Sequence, residues 1–346
     1  MIRGVNPSGG IERFAPIATG IATGVVSLWA NIPAGFPIGT AAISASASIF
    51  AATIGQTGIA LHLGAAALGI LAGTGLRIAT SPSAMGHGAT RSGGFVWVGK
   101  LRNEAYSSLP HSALVYAPPG FDPSRPFAVF VYFRGWGSCV PVLAGADPGS
   151  CAPGGRTRTA SDLMGQVDRS GANVLLVMPE WPLERDSSDP GALAREGAFR
   201  AMLDEIGTDV LSPAFGRPVR LAEASRVVLA AHSGGYYPLT VALARGGLHR
   251  ADDVLLLDAS YGGDAAFAQH ARSGSPLAVL YTGGRTEEHA RSIASSLGAS
   301  MITAGSRLTD AQWRQPVIIA KTTIQHSLVP VGTVEAWLRT RDLPSR

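Results

Sequence analysis

Arg226 to Pro238 read RVVLAAHSGGYYP, and this stretch decides how the rest of the chain is read. Val227, Val228, Leu229, Ala230 and Ala231 form a short apolar run of strand type, Gly234 and Gly235 follow at once, and Tyr236 to Ala244 reads as a helix. Ser233 sits at the turn, in Ala231-His232-Ser233-Gly234-Gly235, the small-x-Ser-x-Gly pattern of a nucleophile elbow. The spacing has a physical basis. A serine on a strained, sharp turn presents its hydroxyl clear of the sheet, and the residues two before and two after it pass close to each other, so they must be nearly free of side chain. Gly235 meets this fully and Ala231 carries one methyl. The helix that starts just after Ser233 turns its N-terminal amides toward any negative oxygen near the serine. The competing reading is a strand, glycine turn and helix with an incidental serine, and the rest of the chain decides between them.

Around this stretch, strand and helix patterns alternate. Phe95–Lys100 and Leu114–Ala117 read as opening strands, and Pro118-Pro119-Gly120 turns the chain after the second. Phe127–Phe133 (FAVFVYF) is a continuous apolar run, as a strand buried on both faces requires. Thr159–Arg169 reads as a helix, Asn173–Met178 as a strand and Gly191–Ile206 as a long helix. Val254–Asp258, Leu277–Thr282 and Val317–Lys321 are the later strands, and Pro330–Arg339 is a closing helix. The fold class is therefore α/β, a mainly parallel central sheet with helices on both faces, in which ligands bind at the carboxyl ends of the strands.

A serine hydroxyl is a poor nucleophile until a base takes its proton, and a histidine base needs an acceptor to hold its other nitrogen. His326, in TTIQHSLVP just past the last strand, is placed to reach Ser233. His232 adjoins the serine, but its side chain is expected to point away from the site. His62 lies in an apolar stretch, and His249, His270 and His289 read as surface residues. For the acid, Asp258 ends an apolar strand in LLLDASYG, where a lone carboxylate is costly unless it accepts hydrogen bonds. Glu287 or Glu288, after the next strand, is the alternative acid, and Asp264 a distant third. The oxyanion formed on attack needs two backbone donors. Gly234 N–H is one, and Trp136 N–H, in the turn Arg134-Gly135-Trp136-Gly137, is the candidate for the other.

These residues carry a resemblance. From about Phe95 to Leu343 the chain resembles the α/β-hydrolase superfamily, through AHSGG at the elbow, FRGWG after the buried strand, and the order Ser233, Asp258, His326. Arg134 stands where the superfamily often has histidine, and Asp258 follows a strand one earlier than is usual, a position that some lipases use. The resemblance implies a serine hydrolase of esterase or lipase type, cleaving a small or lipid-like carboxylic ester through an acyl-enzyme. An amidase or peptidase with the same triad, and a non-catalytic, membrane-tethered binding module of the same fold, remain as alternatives. Trp136 and Trp181 are candidates to wall an apolar acyl pocket.

Composition bounds the rest. Of 346 residues 15% are charged, the net charge is +4, and the basic residues are scattered arginines with two lysines, Lys100 and Lys321, so there is no basic stripe for nucleic acid. No phosphate-loop, dinucleotide or His-Glu-x-x-His motif occurs, and no cofactor is expected. Two cysteines, Cys139 and Cys151, lack the second pair of a zinc site, and in an oxidising compartment they are expected to form a disulfide. Residues 14–76 carry no Asp, Glu, Lys or Arg. This Ala/Gly-rich stretch reads as a membrane anchor, as an export signal, or as low-complexity sequence without structure of its own. Residues 1–87 are accordingly set apart from a catalytic domain at 88–346, and the expected location is extracytoplasmic, membrane-anchored or secreted.

Overall fold

The structure is a computed structural model that describes residues 93–102, 113–145, 161–180, 189–248 and 250–346. The apolar segment 14–76, the boundary at 87–88, Cys151, Trp181 and His249 lie outside the described residues. So do the first two residues of the helix expected from Thr159.

Among the described residues nine strands form one sheet: β1 (Phe95–Gly99), β2 (Ala113–Ala117), β3 (Ala128–Phe133), β4 (Val174–Pro179), β5 (Arg226–His232), β6 (Asp253–Leu257), β7 (Leu277–Tyr281), β8 (Ile302–Gly305) and β9 (Val317–Thr322). Their order across the sheet is β1-β2-β4-β3-β5-β6-β7-β9-β8. β2 pairs antiparallel with β1 and β4, and every other pairing is parallel. The result is an α/β fold, a mainly parallel central sheet with helices on both faces. β3 and β5 sit at its centre in the register Phe133↔Ala231, which sets the end of β3 beside the elbow.

β3 and the middle of β5, Val227–Ala231, are apolar and buried because both faces are covered. On one face Val129, Val131 and Phe133 of β3 join Leu229 and Ala231 of β5 beneath Phe199, Met202 and Leu239. On the other, Phe130 and Tyr132 join Val228 and Ala230 beneath Leu163, Val334 and Trp337. The covering helices are α1 (Val140–Ala144), α2 (Leu163–Ser170), α3 (Ala198–Glu205), α4 (Ser212–Phe215), α5 (Tyr236–Arg245), α6 (Asp264–Arg272), α7 (Arg285–Leu297), α8 (Asp310–Trp313) and α9 (Thr333–Thr340).

Two expectations need correction. The long helix over Gly191–Ile206 is not continuous. Gly191–Ala194 is a 3-10 turn, Arg195 is extended and Gly197 is left-handed at φ 70°. The break lets the chain back onto the end of α5, where Gly197 N–H donates to the Arg245 carbonyl at 2.8 Å. Helical structure then resumes and runs past residue 206, through a π-type segment Ile206–Leu211 into α4. β9 is also not preceded directly by β7 in sequence. β8 (ITAG) is a four-residue, half-exposed edge strand, too short and too weakly patterned to stand out.

At the carboxyl ends of β3 and β4, Arg134 and Glu180 form a buried ion pair, with side-chain exposures of 0% and 2%. Burial pushes the Arg134 pKa down, and the Glu180 carboxylate opposes that shift. Removing one member strands the other charge in the interior, a cost of about 3–5 kcal/mol. Glu180→Ala is expected to lower stability by that amount in urea titration. The double replacement Arg134→Met with Glu180→Leu is expected to recover most of it, and a Glu180→Ala loss no larger than that of a surface pair contradicts this account.

Candidate active site

β5 must reverse direction within one residue to reach α5, and Ser233 takes the left-handed conformation, φ 54°, to do so. Ser233–Gly235 is a single 3-10 turn that feeds straight into α5. The reason for glycine at 235 differs from the expected one. The close neighbours of Gly235 are not Ala231 but the end of β3: a Cβ there would lie 2.3 Å from the Phe133 carbonyl oxygen and 2.7 Å from that of Arg134. Ala231 is a core residue opposite Phe133.

The loop after β9 carries His326 back over this turn, in a 3-10 segment His326–Leu328. The Ser233 hydroxyl donates to His326 Nε2 at 3.0 Å, and His326 Nδ1–H donates to Asp258 Oδ2 at 2.5 Å. Asp258 follows β6 directly and is also left-handed, φ 48°. It is 1% exposed. Its carboxylate accepts from Thr282 N–H at 2.8 Å, Thr282 Oγ1 at 2.6 Å and Thr286 Oγ1 at 2.7 Å as well as from His326. Burial alone would raise the Asp258 pKa, but the hydrogen bonds from His326, Thr282 and Thr286 outweigh it and hold the carboxyl below its ordinary value.

The other candidates fall elsewhere. Glu287, on the first turn of α7, is taken up by Lys321 Nζ at 2.9 Å and Arg291 Nη2 at 2.5 Å, and the pair lowers its pKa. Its carboxylate therefore serves a surface ion-pair cluster, and the alternative acid is set aside. Asp264 accepts from His289 Nδ1 at 2.9 Å, so His289 is no free surface residue. His270 is buried, bonded through Nε2 to the Pro276 carbonyl at 3.0 Å.

Trp136 lies in the turn after β3 and is 45% exposed. Gly135, before it, is pressed against the elbow: a Cβ at Gly135 would be 3.1 Å from Ser233 Cβ. Arg134 points inward, where its Nη1 donates to the Gly135 carbonyl at 3.1 Å. Cys139 is buried at the start of α1 and is not a free thiol. With Cys151 outside the described residues, no bridge between the two is described. Among the described residues no group of three or more His, Cys, Asp or Glu is placed to hold a metal ion, and no helix is long and apolar enough to cross a membrane.

Besides Thr282 and Thr286, two features of the site are not legible in the sequence reading above. Tyr236 stacks near Tyr237 and Tyr261, with ring centroids 6.3 and 6.0 Å apart, so the start of α5 and the loop after Asp258 form one aromatic cluster. Burial raises the Tyr261 pKa, and the charge of Asp258 adds to the effect. His232, expected to point away, instead lies against His326: Nε2–H donates to the His326 carbonyl at 2.9 Å and the ring centroids are 4.8 Å apart. Strand alternation carries the signal. Ala231 faces one side of the sheet, so His232 faces the other, where the loop after β9 descends.

No protein-family model matches the chain, and no curated protein matches it in sequence. Solved structures do resemble it. A serine-to-alanine mutant of the feruloyl esterase module from Clostridium thermocellum, complexed with sinapinate, superposes with a TM-score of 0.45 at 12% identity, over 76% of this chain and 96% of that one. A siderophore hydrolase from Aspergillus nidulans gives 0.37 at 13%, over 78% and 99%. The enterobactin esterase from Shigella flexneri gives 0.38 at 13%, over 73% and 61%.

The lowered Asp258 pKa has a consequence for stability. A carboxyl whose folded pKa lies below its unfolded value stabilises the fold above the unfolded pKa, about 3.9, and loses that contribution as pH falls through the folded value. The melting-temperature gap between wild type and Asp258→Asn is expected to be widest near neutrality and to close as the pH is taken well below 4. A gap independent of pH contradicts the assignment.

Proposed function

We propose that the protein is a serine-dependent carboxylic ester hydrolase working through an acyl-enzyme. The observation that carries this reading is the unbroken hydrogen-bonded chain from Ser233 through His326 to the buried Asp258, anchored on a left-handed serine at the end of a central strand. In the proposed reaction Ser233 Oγ attacks the ester carbonyl while His326 Nε2 takes its proton. The imidazolium then returns the proton to the leaving alkoxide. Water attacks the acyl-serine by the same route in reverse. Asp258 stays ionised throughout, orienting the ring and offsetting its transient charge. Gly234 N–H and Trp136 N–H are the proposed donors to the oxyanion. The near approach of Gly135 to Ser233 supports the second of these.

The exposed indole of Trp136 and the Tyr236–Tyr237–Tyr261 cluster favour an apolar substituent on the ester, small or lipid-like. The proposed location is outside the cytoplasm, tethered or exported through residues 14–76, with Cys139 and Cys151 bridged. The apolar run and the absence of a free thiol at Cys139 support it.

A panel of p-nitrophenyl esters of increasing acyl length tests the reading. Ser233→Ala is expected to abolish hydrolysis and labelling by a fluorophosphonate without unfolding the domain. Asp258→Asn is expected to cost on the order of 10⁴ in kcat, and Glu287→Gln to be nearly silent. Turnover of amides in preference to esters would reassign the chemistry. Ester binding without turnover or labelling would reduce the domain to a binding module. In the protein from its native host, two free thiols on non-reducing peptide mapping would remove the disulfide and, with it, much of the case for an extracytoplasmic location.

A further inference from the structure

His232 has no part in the reaction just described, yet its side chain is closely held. It is the last residue of β5 and stands directly before the elbow serine, so its backbone cannot move without moving Ser233. Its ring is almost completely buried. On one side lies the His326 imidazole, 4.8 Å away between centroids and tilted by 34°. On the other lies Gly135, where a Cβ would meet His232 Nδ1 at 3.2 Å. One ring thus touches the histidine loop and the turn after β3 while being rigidly joined to the nucleophile.

The hydrogen bonding fixes the tautomer. Nε2 faces the His326 carbonyl, which can only accept, so Nε2 carries the hydrogen. Nδ1 then carries a bare lone pair, and it is buried with no partner among the described residues. An unpartnered buried nitrogen of this kind is destabilising. Packing alone would be served as well by phenylalanine, which has no such nitrogen. A donor to the His326 backbone is what the histidine adds.

We propose that His232 is the positioning residue of the site: its Nε2–H holds the His326 carbonyl and its ring packs on the imidazole, so that the distance from His326 Nε2 to Ser233 is set by the residue adjoining that serine. The inference rests on the reading of Ser233, His326 and Asp258 as a catalytic triad. The role requires a neutral ring, since a second positive charge beside His326 would oppose the imidazolium formed during turnover. The surroundings keep it neutral. Burial first, and then the proximity of His326, push the His232 pKa down to about 4, against the His326 hydrogen bond and the Asp258 charge, which act the other way. The charged and titratable groups acting on it are His326 on the loop after β9 and Asp258 at the end of β6.

Two measurements on the full chain test this. In ¹⁵N NMR of the wild type, His232 is expected as the neutral Nε2–H tautomer with unprotonated Nδ1 from pH 5 to pH 9. The Nδ1–H tautomer, or titration near the ordinary histidine value of about 6.5, overturns the proposal without any variant having to fold. The second measurement compares His232→Phe, which keeps a ring and loses the donor, with His232→Gln, which restores a donor at the same reach. His232→Phe is expected to lower kcat about tenfold or more, the size of one lost hydrogen bond, with KM little changed and the rate of fluorophosphonate labelling falling in parallel. His232→Gln is expected to recover a large part of both. Equal activity in the two variants, or a loss that appears in thermal stability alone, rejects the proposal. Failure of the triad reading looks different: the wild type itself would neither turn over esters nor label at Ser233, whatever the tautomer of His232.

Discussion

Everything at the carboxyl end of the sheet depends on how close β5 comes to β3 as it turns. The space at Gly235 is closed off by two backbone carbonyls, those of Phe133 and Arg134, and not by side chains free to rotate away. Backbone oxygens in a central strand cannot yield without breaking the ladder, so residue 235 can be nothing larger than glycine. Once it is glycine, the chain passes from strand to helix in three residues, and Ser233 has to accept a left-handed φ. Such a conformation is unfavourable for a side-chain-bearing residue and survives only where its surroundings over-determine it. Here the pairing of Phe133 with Ala231 before the turn and the start of α5 after it do so.

The same device recurs one strand over. Among the described residues three non-glycines have positive φ, and two of them are Ser233 and Asp258, at the ends of neighbouring parallel strands β5 and β6. Left-handed turns at both positions aim two side chains out of a sheet whose own alternation would place them on its faces. For Asp258 the result is nearly complete burial, which a carboxylate tolerates only when its oxygens are occupied. Thr282 and Thr286, at the exit of β7 and the first turn of α7, supply three donors and His326 the fourth. Glu287 is next to Thr286 in sequence but one position round the helix, and its carboxylate meets Lys321 and Arg291 instead.

This explains which parts were legible in the chain itself. The elbow, the buried strands and the positions of Asp258 and His326 at strand exits depend on short-range patterns: an apolar run, a glycine pair, a lone carboxylate where a run stops. The preference for Asp258 over Glu287 followed from the cost of a carboxylate at the end of an apolar strand, a local property. What escaped depends on partners far away in sequence. The break at Gly197 exists because the chain meets the end of α5, nearly fifty residues on. β8 is defined only by its pairing with β9. Thr282 and Thr286 carry no signal of their own until the carboxylate they serve is in place. His232 departs from the expectation for a different reason. The alternation of β5 assigns it to the face that receives the loop after β9, and treating the elbow as a turn in isolation hid that.

Arg134 most needs a physical account, because a buried guanidinium beneath the candidate site is costly to keep. Its Nε binds Glu180, which offsets the charge, and its Nη1 donates to the carbonyl of Gly135, the very next residue. A trans peptide holds its C=O and N–H on opposite sides, and the described chain contains no cis bond. Fixing the Gly135 carbonyl toward the interior therefore turns the Trp136 N–H the other way, out of the floor on which the ion pair lies. Ser138 N–H bonds to the same Gly135 oxygen at 3.3 Å and steadies the turn from its far end. A histidine at position 134 has no second nitrogen on a long planar fork with which to bind a neighbouring strand and its own chain at once. The arginine joins β3, β4 and the turn after β3 into one rigid unit. In the proposed reaction this pre-orients the second oxyanion donor before any substrate arrives, at the expense of an interior charge that Glu180 offsets.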